Sequence, residues 1–191
     1  REAAGLTGDP LYNPLWGYQD GKVRNSRVRR EVRPLVAILY RRPLGASTEL
    51  SLGATAEAGL RRTSGLGWYD ARSRMPDNYR YMPGYAADPD RHAELEAVWR
   101  SGDWHYTQID WDELYRENAL QGGHSAYFVA DRAERLLRMQ FSAEGRTDPG
   151  GRFVVRYGVE AGYERMRRYR EMRDLLGGEY IIDRDQYLLD D

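Results

Sequence analysis

The chain has 191 residues, a net charge of -1 at pH 7 and no cysteine, with a mean hydropathy of -0.80. The near-neutral balance excludes a global field directed at nucleic acid, and the lack of cysteine excludes a disulfide framework and a thiolate metal site. No apolar stretch reaches the roughly 18 residues of a membrane helix, a requirement that barrel strands do not share.

The sequence opens at Arg1 without an initiating methionine or an apolar leader, so it is expected to be an internal piece of a longer protein. Basic charge is almost all arginine, Lys22 being the one lysine, and no function follows from that alone. A first strand is expected over about 25–41, where Pro34, Val36, Ile38 and Tyr40 form an apolar line and Leu35, Ala37 and Leu39 occupy the alternate positions. A turn follows at Arg42-Pro43-Leu44-Gly45-Ala46-Ser47, a cluster of turn formers. The second strand, about 48–63, has the cleanest pattern in the chain. Leu50, Leu52, Ala54, Ala56, Ala58 and Leu60 project to one side, and Glu49, Ser51, Gly53, Thr55, Glu57, Gly59 and Arg61 to the other. This strict period of two is expected where one face meets lipid and the other a watery lumen.

The connection over about 64–126 is far longer than the usual loop of about 4–6 residues. Its mixture of turn residues and aromatics suits an ordered surface loop. A helix is expected over Arg91 to Arg100, with Leu95, Val98 and Trp99 on one face, and a second over Asp110 to Asn118, with Asp110 as cap and Glu113 three residues on. Trp99, Trp104, Tyr106, Trp111 and Tyr115 are the ligand-binding candidates of this loop, able to stack on a sugar or a peptide side chain. The competing expectation is that small helices bury them in a loop core.

A third strand, about 127–146, carries Leu137, Met139, Phe141 and Ala143 opposite Arg138, Gln140, Ser142 and Glu144. The turn Thr147-Asp148-Pro149-Gly150-Gly151 leads to a fourth, about 152–171, where Phe153, Val155, Tyr157, Val159, Ala161 and Tyr163 alternate with mostly polar residues. The expected fold class is therefore all-β: a fragment of a transmembrane antiparallel barrel, four long strands in two hairpins, with a long loop containing short helices. Barrels of the outer membrane have short periplasmic turns and long extracellular loops, which places residues 64–126 outside. The basic tracts Lys22 to Arg33 and Glu164 to Arg173 lie beyond the apolar runs, where arginines face an anionic leaflet or pair with loop carboxylates. Nucleic acid is not an expected partner. Four strands are too few to close, since small barrels need about eight.

Nothing points to an enzyme, a cofactor or a metal. His92, His105 and His124 are the only histidines, and none has the spacing of a metal-ligand pair. Asp110, Asp112 and Glu113 are explained by helix capping. Ser64-Gly65-Leu66-Gly67 does not open a helix after a strand, as a phosphate loop must.

Five stations in the chain resemble one family: Asn13-Pro14-Leu15-Trp16-Gly17-Tyr18-Gln19-Asp20-Gly21-Lys22-Val23-Arg24-Asn25; Trp68-Tyr69-Asp70; Asp77-Asn78-Tyr79-Arg80-Tyr81-Met82-Pro83-Gly84-Tyr85; Gln108-Ile109-Asp110-Trp111-Asp112-Glu113-Leu114-Tyr115; and Asp174-Leu175-Leu176-Gly177-Gly178-Glu179-Tyr180. In this order they are similar to TonB-dependent outer-membrane receptors of Gram-negative bacteria, in the class that often carries a carboxypeptidase-like regulatory domain at its N-terminus. The resemblance implies energised nutrient uptake through a barrel of about twenty-two strands and localisation in the cell outer membrane. The implied partners are outer-membrane lipid, the plug and remaining strands, TonB through an N-terminal part that this sequence lacks, and in some receptors a surface lipoprotein. A soluble secreted β-domain that binds a ligand is the alternative, and it requires a second layer to cover the apolar lines.

Overall fold

The computed structural model describes residues 2–182. They divide into two compact units. One takes the chain up to Val28, Ser64–Asp131 and from Glu171 onward; the other takes Arg29–Thr63 and Arg132–Arg170.

The first unit begins with a short helix, α1 (Glu2–Thr7), and a hairpin of β1 (Trp16–Gln19) and β2 (Lys22–Asn25). Asp20 and Gly21 make its two-residue turn, both at positive φ (47° and 70°), the left-handed pair that matches the twist of a tight hairpin. The long connection supplies α2 (Pro89–Arg100), one helical turn α3 (Trp104–Thr107), the two-residue strand β6 (Ile109–Asp110) and α4 (Trp111–Ala119). Asp88 caps α2 by accepting from Arg91 N, with Pro89 at its first position, so the helix starts two residues before the expected Arg91. Asp110 caps α4 by accepting from Glu113 N. In both cases a carboxylate satisfies an N–H that has no helical partner.

β6 joins the hairpin in parallel, Gly17 opposite Ile109 and Tyr18 opposite Asp110. Ile109, Trp111, Leu114, Ala126, Tyr127, Val129 and Leu176 form the core, with Leu66, Ala71, Met75 and Tyr115 packed against it. A second cluster joins Ala3, Met82 and Trp99.

The second unit is a sheet. β3 (Arg29–Val32) and β4 (Leu35–Pro43) both pair antiparallel with β5 (Thr48–Trp68). One register serves both, from Arg29 opposite Thr63 to Pro43 opposite Glu49. The two are separated at Arg33-Pro34, where proline has no N–H to donate, although the Pro34 carbonyl still accepts from Ala58 N at 3.2 Å. β7 (Tyr127–Thr147) and β8 (Val155–Asp174) complete the order β3-β5-β7-β8, with β4 also on β5. At 21, 21 and 20 residues, β5, β7 and β8 far exceed the usual 3–10 of globular strands. The ends Ser64–Trp68, Tyr127–Asp131 and Glu171–Asp174 belong to the first unit.

Several boundaries differ from those expected: the strand expected over about 25–41 is divided into β3 and β4 and begins at Arg29, and β8 runs on to Asp174 instead of ending near 171. β5 continues to Trp68 instead of stopping near 63. β8 starts at Val155 instead of 152, so Phe153 lies outside the strand and is 77% exposed. Pro149 and Gly150, the latter at φ 81°, hold the backbone in turn geometry and delay the ladder. The protein is thus predominantly β, with an antiparallel main sheet and short helices.

Candidate functional site

In the second unit the pairing puts Val36 opposite Ala56, Ile38 opposite Ala54 and Tyr40 opposite Leu52. Directly opposed residues share a face. A shallow depression lined by Val36, Ile38, Ala54, Ala56, Met139, Phe141, Ala161 and Tyr163 carries the same face across β7 and β8. These side chains are open to solvent: Ile38 is 66% exposed and Tyr163 53%.

The other face is ionic. Glu57 on β5 accepts from Arg33 at 2.6 Å and from Arg138 on β7 at 3.3 Å, and Arg138 reaches Glu164 on β8 at 2.7 Å. A second rung links Arg61 to Glu134, which Arg168 approaches at 3.3 Å. Thr55 Oγ1 donates to Gln140 Oε1 at 3.4 Å, and the side chain of Ser142 stands in the space that a Cβ on Gly53 would occupy. Between the ionic rungs, Gly59, Leu136 and Met166 line a small depression. Leu35, Ala37 and Leu39 share this side, so β4 alone is apolar on both faces.

In the first unit the aromatic candidates separate into two groups. Trp99 (2% exposed) and Trp111 (0%) are buried. Trp99 Nε1 donates to Tyr81 O at 2.9 Å and Trp111 Nε1 to Arg24 O at 3.1 Å, so their rings and polar handles are used in packing. Tyr115 is half-buried and its hydroxyl meets Arg24 and Asp174 at 3.2 and 3.3 Å. Trp104 and Tyr106 keep accessible surface, Tyr106 being 57% exposed. Trp104 stacks on His105 at 3.8 Å and meets Tyr18 edge-on at 4.8 Å, and Tyr18 meets Trp16 in turn. The hairpin thus adds two rings that aromatic content in the long loop alone did not reveal. Beside them, hydrogen bonds from the His105 side chain and backbone hold the Asp103 carboxyl below its ordinary pKa.

His92 Nδ1 lies 2.9 Å from Pro83 O, and His124 tilts against Tyr180. Among the described residues no group of three or more histidine, aspartate and glutamate side chains is placed to hold a metal ion. No described helix is long and apolar enough to cross a membrane, which leaves strands untouched by that test. No protein-family model matches the chain, and no curated protein matches it.

Proposed function

We propose that β4, β5, β7 and β8 form part of the wall of an outer-membrane β-barrel, and that the protein is a TonB-dependent receptor engaged in energised nutrient uptake. The supporting observation is the sorting of side chains across one register. Val36, Ile38, Ala54, Ala56, Met139, Phe141, Ala161 and Tyr163 gather on one exposed face, while the opposite face carries ion pairs between strands. A soluble domain has to cover such an apolar face with another layer; lipid covers it in a barrel. The first unit then supplies the extracellular loop region, and Trp104 and Tyr106 are its cargo-facing candidates.

The test is a pair of substitutions in the full-length receptor. Ala56→Arg places a cation among acyl chains, at a cost of about 2–4 kcal/mol near the bilayer midplane, and lowers the yield of folded receptor in isolated outer membranes. Thr55→Arg, one residue away on the polar face, leaves the yield near wild type. Equal yields for the two variants refute the lipid assignment.

A further inference from the structure

The segment from Asp77 to Tyr85 has no part in the sheet or in the ring cluster around Trp104. It makes two successive turns of 3₁₀ helix, Tyr79–Tyr81 and Pro83–Tyr85. The Asn78 side chain accepts from Arg80 N, Pro83 opens the second turn, and Met82 between them is buried. Tyr81 O accepts from Trp99 Nε1 at 2.9 Å, and the Tyr81 hydroxyl donates to Ser73 O at 2.7 Å. These bonds fix a backbone that offers two rings to solvent. Tyr79 and Tyr85 are 50% and 63% exposed, and they meet edge to face at 4.6 Å and 75°.

The rings line an open cavity of about 410 Å³ together with the buried Met82 and the acidic side chains of Glu2 and Asp77. Gly84 makes room for one of the acids. Its N–H donates to Glu2 Oε1 at 2.6 Å, and a Cβ at that position would press on the carboxylate at 2.9 Å. Every glutamate of the long connection has an arginine partner: Glu94 has Arg91, Glu96 has Arg100, and Glu113 and Glu117 share Arg74. Glu2 and Asp77 have no ion pair among the described residues. The negative field reaches Tyr12, where Asp77 contributes to the raised pKa.

Two acids and two uncovered rings in one cavity exclude most guests by their chemistry. An anion meets like charge, and an apolar guest strips water from carboxylates without replacing its hydrogen bonds. A hard metal ion needs more oxygen ligands, and no third acid or histidine joins the pair among the described residues. An organic cation suits both features: its N–H groups bond the carboxylates, and its charge lies against a ring face, an attraction that acts within about 6 Å of the centroid. Arg80 shows this attraction inside the chain. Its guanidinium carbon lies 5.6 Å from the Tyr79 centroid and its Nε donates to the Tyr79 hydroxyl at 3.1 Å, yet Arg80 does not line the cavity.

We propose that Glu2, Asp77, Tyr79 and Tyr85 form a binding site for the ammonium or guanidinium head of an organic cation, with Met82 against its aliphatic stem. The head belongs either to a free amine or to a basic side chain of a peptide. The site lies wholly in the first unit and stands whether or not lipid covers the sheet.

The test titrates the full-length protein in detergent with butylammonium, followed by saturation-transfer NMR of the ligand. Wild type binds butylammonium and not butanol, which shares the stem without the charge. Tyr79→Leu and Asp77→Asn each weaken binding about fivefold, the factor equivalent to about 1 kcal/mol for an exposed cation–π contact or ion pair. Tyr79→Phe keeps the affinity, because the ring face and not the hydroxyl meets the charge. Glu94→Gln, an exposed acid outside the cavity, changes nothing. A Gly-Lys-Gly peptide with blocked ends competes for the same site; whichever of the two ligands binds more tightly identifies the source, and either order supports the site. Absence of binding by wild type, equal binding of butanol, full affinity in Tyr79→Leu, or displacement of butylammonium by equimolar calcium overturns the proposal. The comparison of butylammonium with butanol and calcium needs no variant, so a substitution that fails to fold leaves the test decisive.

Discussion

Arg24 and Asp174 lie 150 residues apart in the chain, and their side chains meet at 2.5 Å. The guanidinium also donates to Gln19 at 2.7 Å and Tyr115 at 3.2 Å, and lies 4.1 Å above the Trp111 ring. It therefore ties the β2 hairpin, α4 and the end of β8 into the core of the first unit. Both charges are about a quarter to a third exposed, so the pair is screened less than a surface bridge. Arg24→Ala should lower the opening free energy of α4 by about 1.5–3 kcal/mol, the range for hydrogen bonds to charged groups, read as faster amide exchange over Trp111–Ala119. Arg24→Lys should recover only a minor part, since an ammonium cannot serve three partners and stack on an indole together.

Gly17 sits where two backbones nearly touch. A Cβ there would overlap the Ile109 carbonyl and come within 2.6 Å of Ile109 N. Backbone atoms cannot move aside as a flexible side chain can. Gly17→Ala should part β1 from β6 and cost at least the roughly 1–3 kcal/mol of an overpacked core. The measurable sign is loss of amide protection at Tyr18 and Ile109, whereas Gly21→Asn should be tolerated because asparagine accepts the positive φ there.

Much of the main sheet was legible because period two is a local signal. In β5 six alternate apolar residues define one face without any knowledge of partners. β4 was harder: apolar residues at both parities hide its face, and only pairing with β5 resolves it. The first-unit hairpin carried a readable Asp20-Gly21 signal, but four-residue strands are too short to show alternation. The parallel pairing of β6 with β1 joins residues about ninety positions apart and has no local signature at all. The aromatics of the loop were visible as a group, yet which of them is buried depends on neighbours. Trp99 turns toward Ala3 and Met82, and Trp104 toward the hairpin, and neither is encoded in the spacing of α2 or α3.

Asn118 is fully buried and serves both ends of its amide. Its nitrogen donates to Tyr127 O, Leu175 O and Leu176 O at 2.8–3.1 Å, and its oxygen accepts from Tyr127 N at 3.0 Å. Asn118→Asp keeps the size but turns the donor end into an acceptor facing three carbonyls. It should destabilise the first unit more than Asn118→Ala, which leaves the same groups unpaired at about 1–3 kcal/mol each. Denaturant titration followed by tryptophan fluorescence would order the two variants, and an equal or reversed order contradicts the network.

Alkaline sensitivity should come from Tyr12. Its hydroxyl donates to Thr107 O at 2.6 Å, and burial, with a smaller contribution from Asp77, raises its pKa well above the ordinary 10.0. A raised value means that the fold favours the neutral phenol. The contribution is complete below the unfolded pKa and is lost as pH rises from about 10 through the folded value. Wild type should therefore lose stability in that window more steeply than Tyr12→Phe, which cannot ionise. Parallel decline of the two proteins would exclude Tyr12 as the source.

The aromatic candidates should separate by readout. Trp99→Ala removes a buried indole and its bond to Tyr81 O, and should cost about 3–5 kcal/mol of stability, as truncation of large core aromatics does. Trp104→Ala and Tyr106→Ala remove surface that is at least partly open, and should shift stability by under about 1 kcal/mol. On the proposed receptor function, with Trp104 and Tyr106 facing cargo, these two variants lower uptake by cells while the abundance of the protein stays normal. Trp99→Ala instead lowers abundance and uptake together. Normal uptake with both Trp104→Ala and Tyr106→Ala would remove this ring cluster from the cargo path, because stacking on an accessible ring loses about 1 kcal/mol or more when the ring is deleted.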